Sequence, residues 1–141
     1  DEMDDLKLEM LKSLLKRFLI LCLRVYKNEH AYLPTDTENL GVIKEFSYLV
    51  HKHYKQLSKV SDYADLLNKS PKTLSNIFSK HIDKTPLQII NDRRLLEARR
   101  LLKYSDKTVQ EIAYEINFTD IQTFSKFFKT RTGQSPSAFR L

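Results

Sequence analysis

"VQEIAYEINFTDIQTFSKFF", residues 109–128, decides the fold, because the chain carries this pattern twice. Laid against "VSDYADLLNKSPKTLSNIF", residues 60–78, Val109 meets Val60, Ala113 meets Ala64, Ile116 meets Leu67 and Asn117 meets Asn68, all at an offset of 49. Past the turn the offset becomes 50, with Phe124 on Leu74, Phe127 on Ile77 and Phe128 on Phe78, so one extra residue sits in the second turn. Helical periodicity alone would not also align a small residue with a small residue and an asparagine with an asparagine. The two segments are therefore copies of one unit.

Each copy reads as helix, tight turn, helix. Alanine at 64 and 113 lets a second helix cross closely over the first, and asparagine at 68 and 117 tolerates the left-handed backbone of a sharp helix exit. Thr108 with Glu111 forms a capping box, while Ser70-Pro71, Thr85-Pro86 and Ser135-Pro136 each place a hydroxyl cap before a proline at the first helical position. The expected helices are 59–67, 71–81, 86–103, 109–116, 121–131 and 136–140.

Outward from the repeat, the 141 residues hold only two glycines and four prolines, and no stretch alternates apolar and polar residues with β-branched enrichment. The expected fold class is all-α: two helix-turn-helix units joined by a long linker helix, preceded by a long N-terminal helix and a connector helix. In the N-terminal segment Leu8, Leu11, Leu15, Phe18, Cys22 and Val25 follow at steps of three and four, a heptad seam that Leu14 and Leu21 widen. A helix over about 3–28 with so broad an apolar face either packs on the rest of its own chain or pairs with a second copy as a homodimer. "HAYLPTD" (30–36) breaks it at Pro34. Asp36 or Thr37 can cap the next helix, where Ile43, Phe46, Val50, Tyr54 and Leu57 keep helical spacing to about 57. The expected division is 1–36 as the N-terminal, dimerising segment, 37–57 as connector and 58–141 as the tandem helix-turn-helix domain.

Charge separates these parts. Residues 1–55 hold nine Lys/Arg and nine Asp/Glu, while 56–141 hold fifteen and nine, so the whole net charge of +6 lies in the repeated region. A basic segment suits a polyanionic partner. The lone cysteine, Cys22, can form no internal disulfide and suggests a reducing compartment. "FLILCL" (18–23) is far shorter than the roughly 20 residues of a membrane span. The acidic opening "DEMDD" looks like a start inside a longer protein.

A helix-turn-helix unit lays its second helix in the DNA major groove, where that helix's first residues meet base edges and flanking cations hold phosphates. Such chemistry needs short donors and acceptors at an exposed helix start. Lys72, Ser75 and Asn76 fill this role in the first unit, and Gln122, Ser125 and Lys126 in the second. Asn and Gln pair bidentately with adenine, Lys donates to guanine, and Ile121 can meet a thymine methyl.

The region 58–141 resembles the DNA-binding domain of the AraC/XylS family of bacterial transcription regulators. The resemblance rests on "VSDYADLLNKSPKTLSNIFSK" (60–80), "TPLQIINDRRLLEARRLLKYSD" (85–106) and "TVQEIAYEINFTDIQTFSKFFKTRTGQSPSAFR" (108–140), with its closing Gly-x-Ser-Pro-Ser-x-Phe-Arg. One departure is Asn117, where the family usually has glycine. The resemblance implies two recognition helices entering successive major grooves of double-stranded DNA, about 34 Å apart, held by a linker that spans about 27 Å. It implies base contacts from Lys72, Ser75, Asn76, Ile121, Gln122, Ser125 and Lys126, and phosphate contacts from Thr73, Lys80, Thr123, Lys129 and Arg131. It further implies dimerisation-type helices upstream, a small effector bound by a preceding domain, and contact with RNA polymerase.

Other residues read more simply. His51 and His53 lack the cysteine or carboxylate that would complete a metal set, so no metal and no cofactor is expected. Arg93, Arg94, Arg99 and Arg100 on the linker can touch phosphate, and Arg94 or Arg99 can pair with Asp92, Glu97 or Glu115; structural pairing is the expectation. The aromatics of "FSKFF" (124–128) are core by spacing. No nucleophile–base pair, glycine-rich phosphate loop or carboxylate dyad suggests an enzyme. The rival to a DNA reader is a helical protein-interaction module.

Overall fold

Caps and breakers place the helices of the computed structural model, which describes the backbone of residues 2–30 and 37–140 and the side chains of 7–24 and 37–140. The helices are α1 (Glu2–His30), α2 (Thr37–His53), α3 (Val60–Leu66), α4 (Pro71–His81), α5 (Pro86–Tyr104), α6 (Val109–Glu115), α7 (Ile121–Thr132) and α8 (Pro136–Arg140). Among the described residues there is no strand, and no helix is long and apolar enough to cross a membrane. The chain divides into two compact units, Asp1–Asp36 and Thr37–Leu141.

The first unit is α1. Leu8, Leu11, Leu14, Leu15, Phe18, Leu19 and Leu21 are all exposed on it, as is the free thiol of Cys22. The Val25 side chain and the Asp36 cap lie outside the described residues.

The second unit holds two cores threaded by one helix. Val42, Phe46 and Val50 of α2 pack with Tyr63 and Ala64 of α3, Leu74, Ile77 and Phe78 of α4, and Ile90 near the start of α5. Phe46 meets the Phe78 ring edge-on at 5.1 Å between centroids. Further along α5, Ala98, Leu101 and Leu102 pack with Ile112, Ala113, Ile116, Phe118, Phe124 and Phe128. The expected connector is thus a wall of the first core, and its bounds change as well: α2 ends at His53 instead of running on to 57. Tyr54 N still donates to Val50 O at 3.0 Å and its ring packs into the second core, and the ladder then tightens, with Gln56 N on His53 O at 2.9 Å, as the helix stops.

The repeat is repeated in detail. Asn68 and Asn117 hold φ of 52° and 65°. After each, the next N–H returns to the alanine carbonyl: Lys69 N to Ala64 O at 3.0 Å and Phe118 N to Ala113 O at 2.9 Å. These bonds close the exposed end of a helix by the six-to-one pattern that a left-handed residue permits. Alanine carries no side-chain bulk at the crossing, which is why both Ala64 and Ala113 are fully buried. The capping box at Thr108 is formed, with Glu111 N on Thr108 Oγ1 at 3.1 Å and Thr108 N on Glu111 Oε2 at 2.6 Å. Thr85 makes a second box with Gln88.

Candidate nucleic-acid interface

The two second helices begin alike. Ser70 Oγ accepts from Thr73 N at 3.0 Å to start α4, and the Asp120 carboxylate accepts from Thr123 N at 2.6 Å to start α7. Each cap fixes the first turn, so that one residue of the turn enters the core and its neighbours remain outside. In α4 the inward residue is Leu74, fully buried, and Lys72, Thr73, Ser75 and Asn76 are exposed. In α7 it is Phe124, with Gln122, Thr123 and Lys126 exposed and Ile121 and Ser125 half-buried. Lys80, Lys129 and Arg131 are exposed on the following turns.

The lysines on these helices are uncommitted. Several cations elsewhere are matched, Lys84 with Asp92 at 2.7 Å, Lys55 and Lys107 both with Glu115, Arg93 and Arg100 both with Glu97, whereas among the described residues Lys52, Lys59, Lys69 and Arg99 are as unpaired as the lysines of α4 and α7. Among the described residues, no carboxylate pairs with Lys72, Lys80, Lys126 or Lys129. Ammonium groups without an internal counterion are those able to displace counterions from a phosphate backbone. Arg131 instead lies over the Phe127 ring at 4.1 Å, a cation–π contact that orients its guanidinium along the helix.

Two of the expected phosphate ligands have local work. The Thr73 hydroxyl shares a 2.8 Å hydrogen bond with Ser70 Oγ, and the Thr123 hydroxyl donates to Asp120 Oδ2 at 2.8 Å. A phosphate offers only acceptors, so Thr123 donates to one only by leaving its cap. Asp120 itself escapes the sequence reasoning, although its position four residues before Phe124 was a usable cap signal. Thr123 N–H holds its carboxyl below the usual range, so it is an anion at neutral pH. The neutral Ser70 leaves the positive end of the α4 dipole unoffset, while the Asp120 carboxylate offsets that of α7.

Behind α7, Arg94 corrects the expected ion pair. Its side chain is buried and meets no carboxylate; Nε donates to Ile116 O at 3.0 Å and Nη2 to Asn117 O at 2.7 Å, with the guanidinium 3.8 Å over the Phe118 ring. The exit of α6 leaves those carbonyls without helical partners, and a planar fork satisfies both. Burial brings its pKa down to about 10, still far above neutrality. The carboxylates once expected to pair with it are taken: Asp92 by Lys84, Glu97 by Arg93 and Arg100, Glu115 by Lys55 and Lys107.

Two capped, polar-faced helices on a shared helical spine define a protein with tandem helix-turn-helix units of the DNA-binding kind. The helix-turn-helix domain family matches residues 63–141. The raffinose operon transcriptional regulatory protein RafR of Pediococcus pentosaceus is 32% identical over 136 residues, 93% of this chain and 47% of the relative. The transcriptional activator RhaS of Salmonella arizonae is 29% identical over 125 residues, 89% of this chain and 45% of the relative. The chain spans about half the length of these relatives. Among solved structures, the C-terminal domain of AraT from Geobacillus stearothermophilus is similar at a TM-score of 0.66 and 25% identity, over 70% of this chain and 83% of that one. The DNA-binding domain of AdpA, a global transcriptional factor crystallised with a target DNA, is similar at a TM-score of 0.63 and 29% identity, over 69% and 87%. The chain belongs to the AraC/XylS family of transcription regulators.

Proposed function

We propose that this chain reads double-stranded DNA at two successive major grooves, α4 in one and α7 in the next. The observation that carries this reading is the duplicated recognition face: in each unit a capped helix buries its apolar residues and leaves polar ones, with unpaired lysines, outside. Base contact falls to Lys72, Ser75, Asn76, Ile121, Gln122, Ser125 and Lys126. Phosphate contact falls to Lys80, Lys129 and Arg131, and to Thr73 and Thr123 if their cap bonds exchange. At nineteen residues α5 is about 28 Å long, which side-chain reach extends to the groove spacing of about 34 Å. The protein works in the bacterial cytoplasm, is no enzyme, and activates transcription through RNA polymerase; a small effector binds elsewhere in the full-length regulator.

Selection from a random duplex library tests it. The expected result is a bipartite motif with half-sites about one helical turn apart, bound with an affinity that falls steeply with salt. Recovery of unenriched sequence at moderate salt would refute the DNA-reader assignment. The exposed seam of Leu8, Leu11, Leu15, Phe18 and Cys22 supports a homodimer through α1, with Val25 continuing the heptad. Sedimentation well above micromolar concentration should show the dimer, and a monomer there rejects it.

A second reading has one observation behind it. A groove of about 550 Å³ on the face of α5 is lined by His51, Arg93, Leu96, Arg99, Tyr104 and Phe139 among others, with Leu96 and Tyr104 exposed. If the library enriches nothing, protein interaction through this groove becomes the leading function.

A further inference from the structure

Among the described residues, the second helix-turn-helix unit is held to the first by two connections. One is α5, common to both cores. The other is the short segment leaving α2, which belongs to the first core but reaches the second at three consecutive residues. Tyr54 is buried in the second core, Lys55 Nζ pairs with Glu115 at 2.8 Å, and Gln56 O accepts from Asn117 Nδ2 at 3.0 Å. Glu115 and Asn117 flank the exit of α6, so both polar ties grip the turn that launches α7. Arg94 grips the same turn from α5 through the Ile116 and Asn117 carbonyls.

Mechanics gives this arrangement a consequence. A unit packed along one helix resists rotation about it only through that packing, and polar ties from a second segment add directional resistance to it. We propose that residues 54–56 are a strut that fixes the orientation of α7 relative to α4, and that Asn117 is a positioning residue setting which half-site separation the protein accepts. The inference rests on the two-groove reading above. Shifting one half-site by a base pair moves it about 3.4 Å along the duplex and turns it by roughly a tenth of a revolution. A pivoting unit follows such a shift and a strutted one resists it. Glycine at 117 would adopt the same φ of 65° with less strain, yet would have no side chain to donate. Asparagine serves both needs, since its short amide tolerates the left-handed backbone and still reaches the Gln56 carbonyl.

The test uses the whole chain and a set of duplexes carrying the selected bipartite motif with its spacer lengthened or shortened by one base pair. Asn117→Gly deletes the donor while keeping the backbone easy; Asn117→Asp keeps the size but cannot donate; Lys55→Ala/Asn117→Gly removes both polar ties. The preference for the best spacing should fall about two- to tenfold in each single variant, the range one hydrogen bond sustains, and further in the double variant. Affinity for the best spacing and base preference within each half-site should stay near those of the parent, while the melting temperature falls by the few degrees that one lost hydrogen bond accounts for. A purely structural role would instead weaken binding at every spacing alike, and that result overturns the proposal. So does an unchanged spacing preference in the double variant, even while the parent still selects a bipartite motif. A parent that selects no bipartite motif sinks the two-groove reading and this inference with it.

Discussion

At the scale of single residues, the two recognition helices differ in chemistry despite their shared geometry. Gln122 is exposed two residues after the Asp120 cap, without an internal partner for its amide among the described residues. Gln122→Ala should cost roughly 1–3 kcal/mol on the preferred duplex and relax selection at one position; an equal loss on all duplexes, measured by competition binding, would move Gln122 from base to backbone contact. Asp120 acts in the opposite sense. It caps α7 with a negative charge two residues before Gln122, which the two-groove reading places at the duplex. Asp120→Asn preserves the acceptor for Thr123 N–H and deletes the charge, so binding to every duplex should tighten at low salt with base preference unchanged. Weaker or unchanged binding in a salt titration would show that phosphates approach α7 elsewhere.

Among the elements, α5 carries more than separation between two units. Its Arg94 spans the exit of α6, and replacing it leaves the Ile116 and Asn117 carbonyls bare and the Phe118 ring uncovered. Arg94→Ala should cost about 2–4 kcal/mol in chemical unfolding, while Arg94→Lys should recover only part, because an ammonium cannot satisfy both carbonyls and stack. Full recovery by lysine would reduce the role to charge alone. This residue also marks where sequence reasoning stops. Caps, prolines and the two left-handed asparagines are local signals, so the helices from α3 to α8 were legible to within about two residues. Arg94 sits on a helix rich in nearby carboxylates, and local spacing favoured one of those. Its partners lie 22 and 23 residues away, where only the folded path of the chain can say which group arrives unsatisfied. The same holds for Asn117 and Gln56, 61 residues apart: the backbone need at 117 was readable, the donor's destination was not. Tyr54 shows a third kind of gap, since its spacing was right for α2 and its core was the other one.

For the molecule as a whole, the question is whether its two cores fold as one. Taken with its share of α5, each bundle is comparable to the roughly 60-residue domains that bury only about 60% of their unfolded surface and are marginal alone. Neither has an independent source of stability such as a disulfide, and each uses a length of α5 as one wall: Ile90 for the first core, Ala98, Leu101 and Leu102 for the second. Fraying α5 in the first core removes the N-terminal support of the second, and Tyr54 transmits loss in the reverse direction. Residues 37–140 should therefore unfold in one transition. Phe46 is fully buried against Tyr63 and Phe78, so Phe46→Ala should cost about 3–5 kcal/mol. Native-state hydrogen exchange should then show protection falling by a similar amount in α6 and α7, which Phe46 does not touch, as in α3 and α4. If protection falls in the first bundle alone, the units are separate folding bodies. Groove spacing would then have to be held by α5 unaided, against the rigidity that a two-groove reader needs.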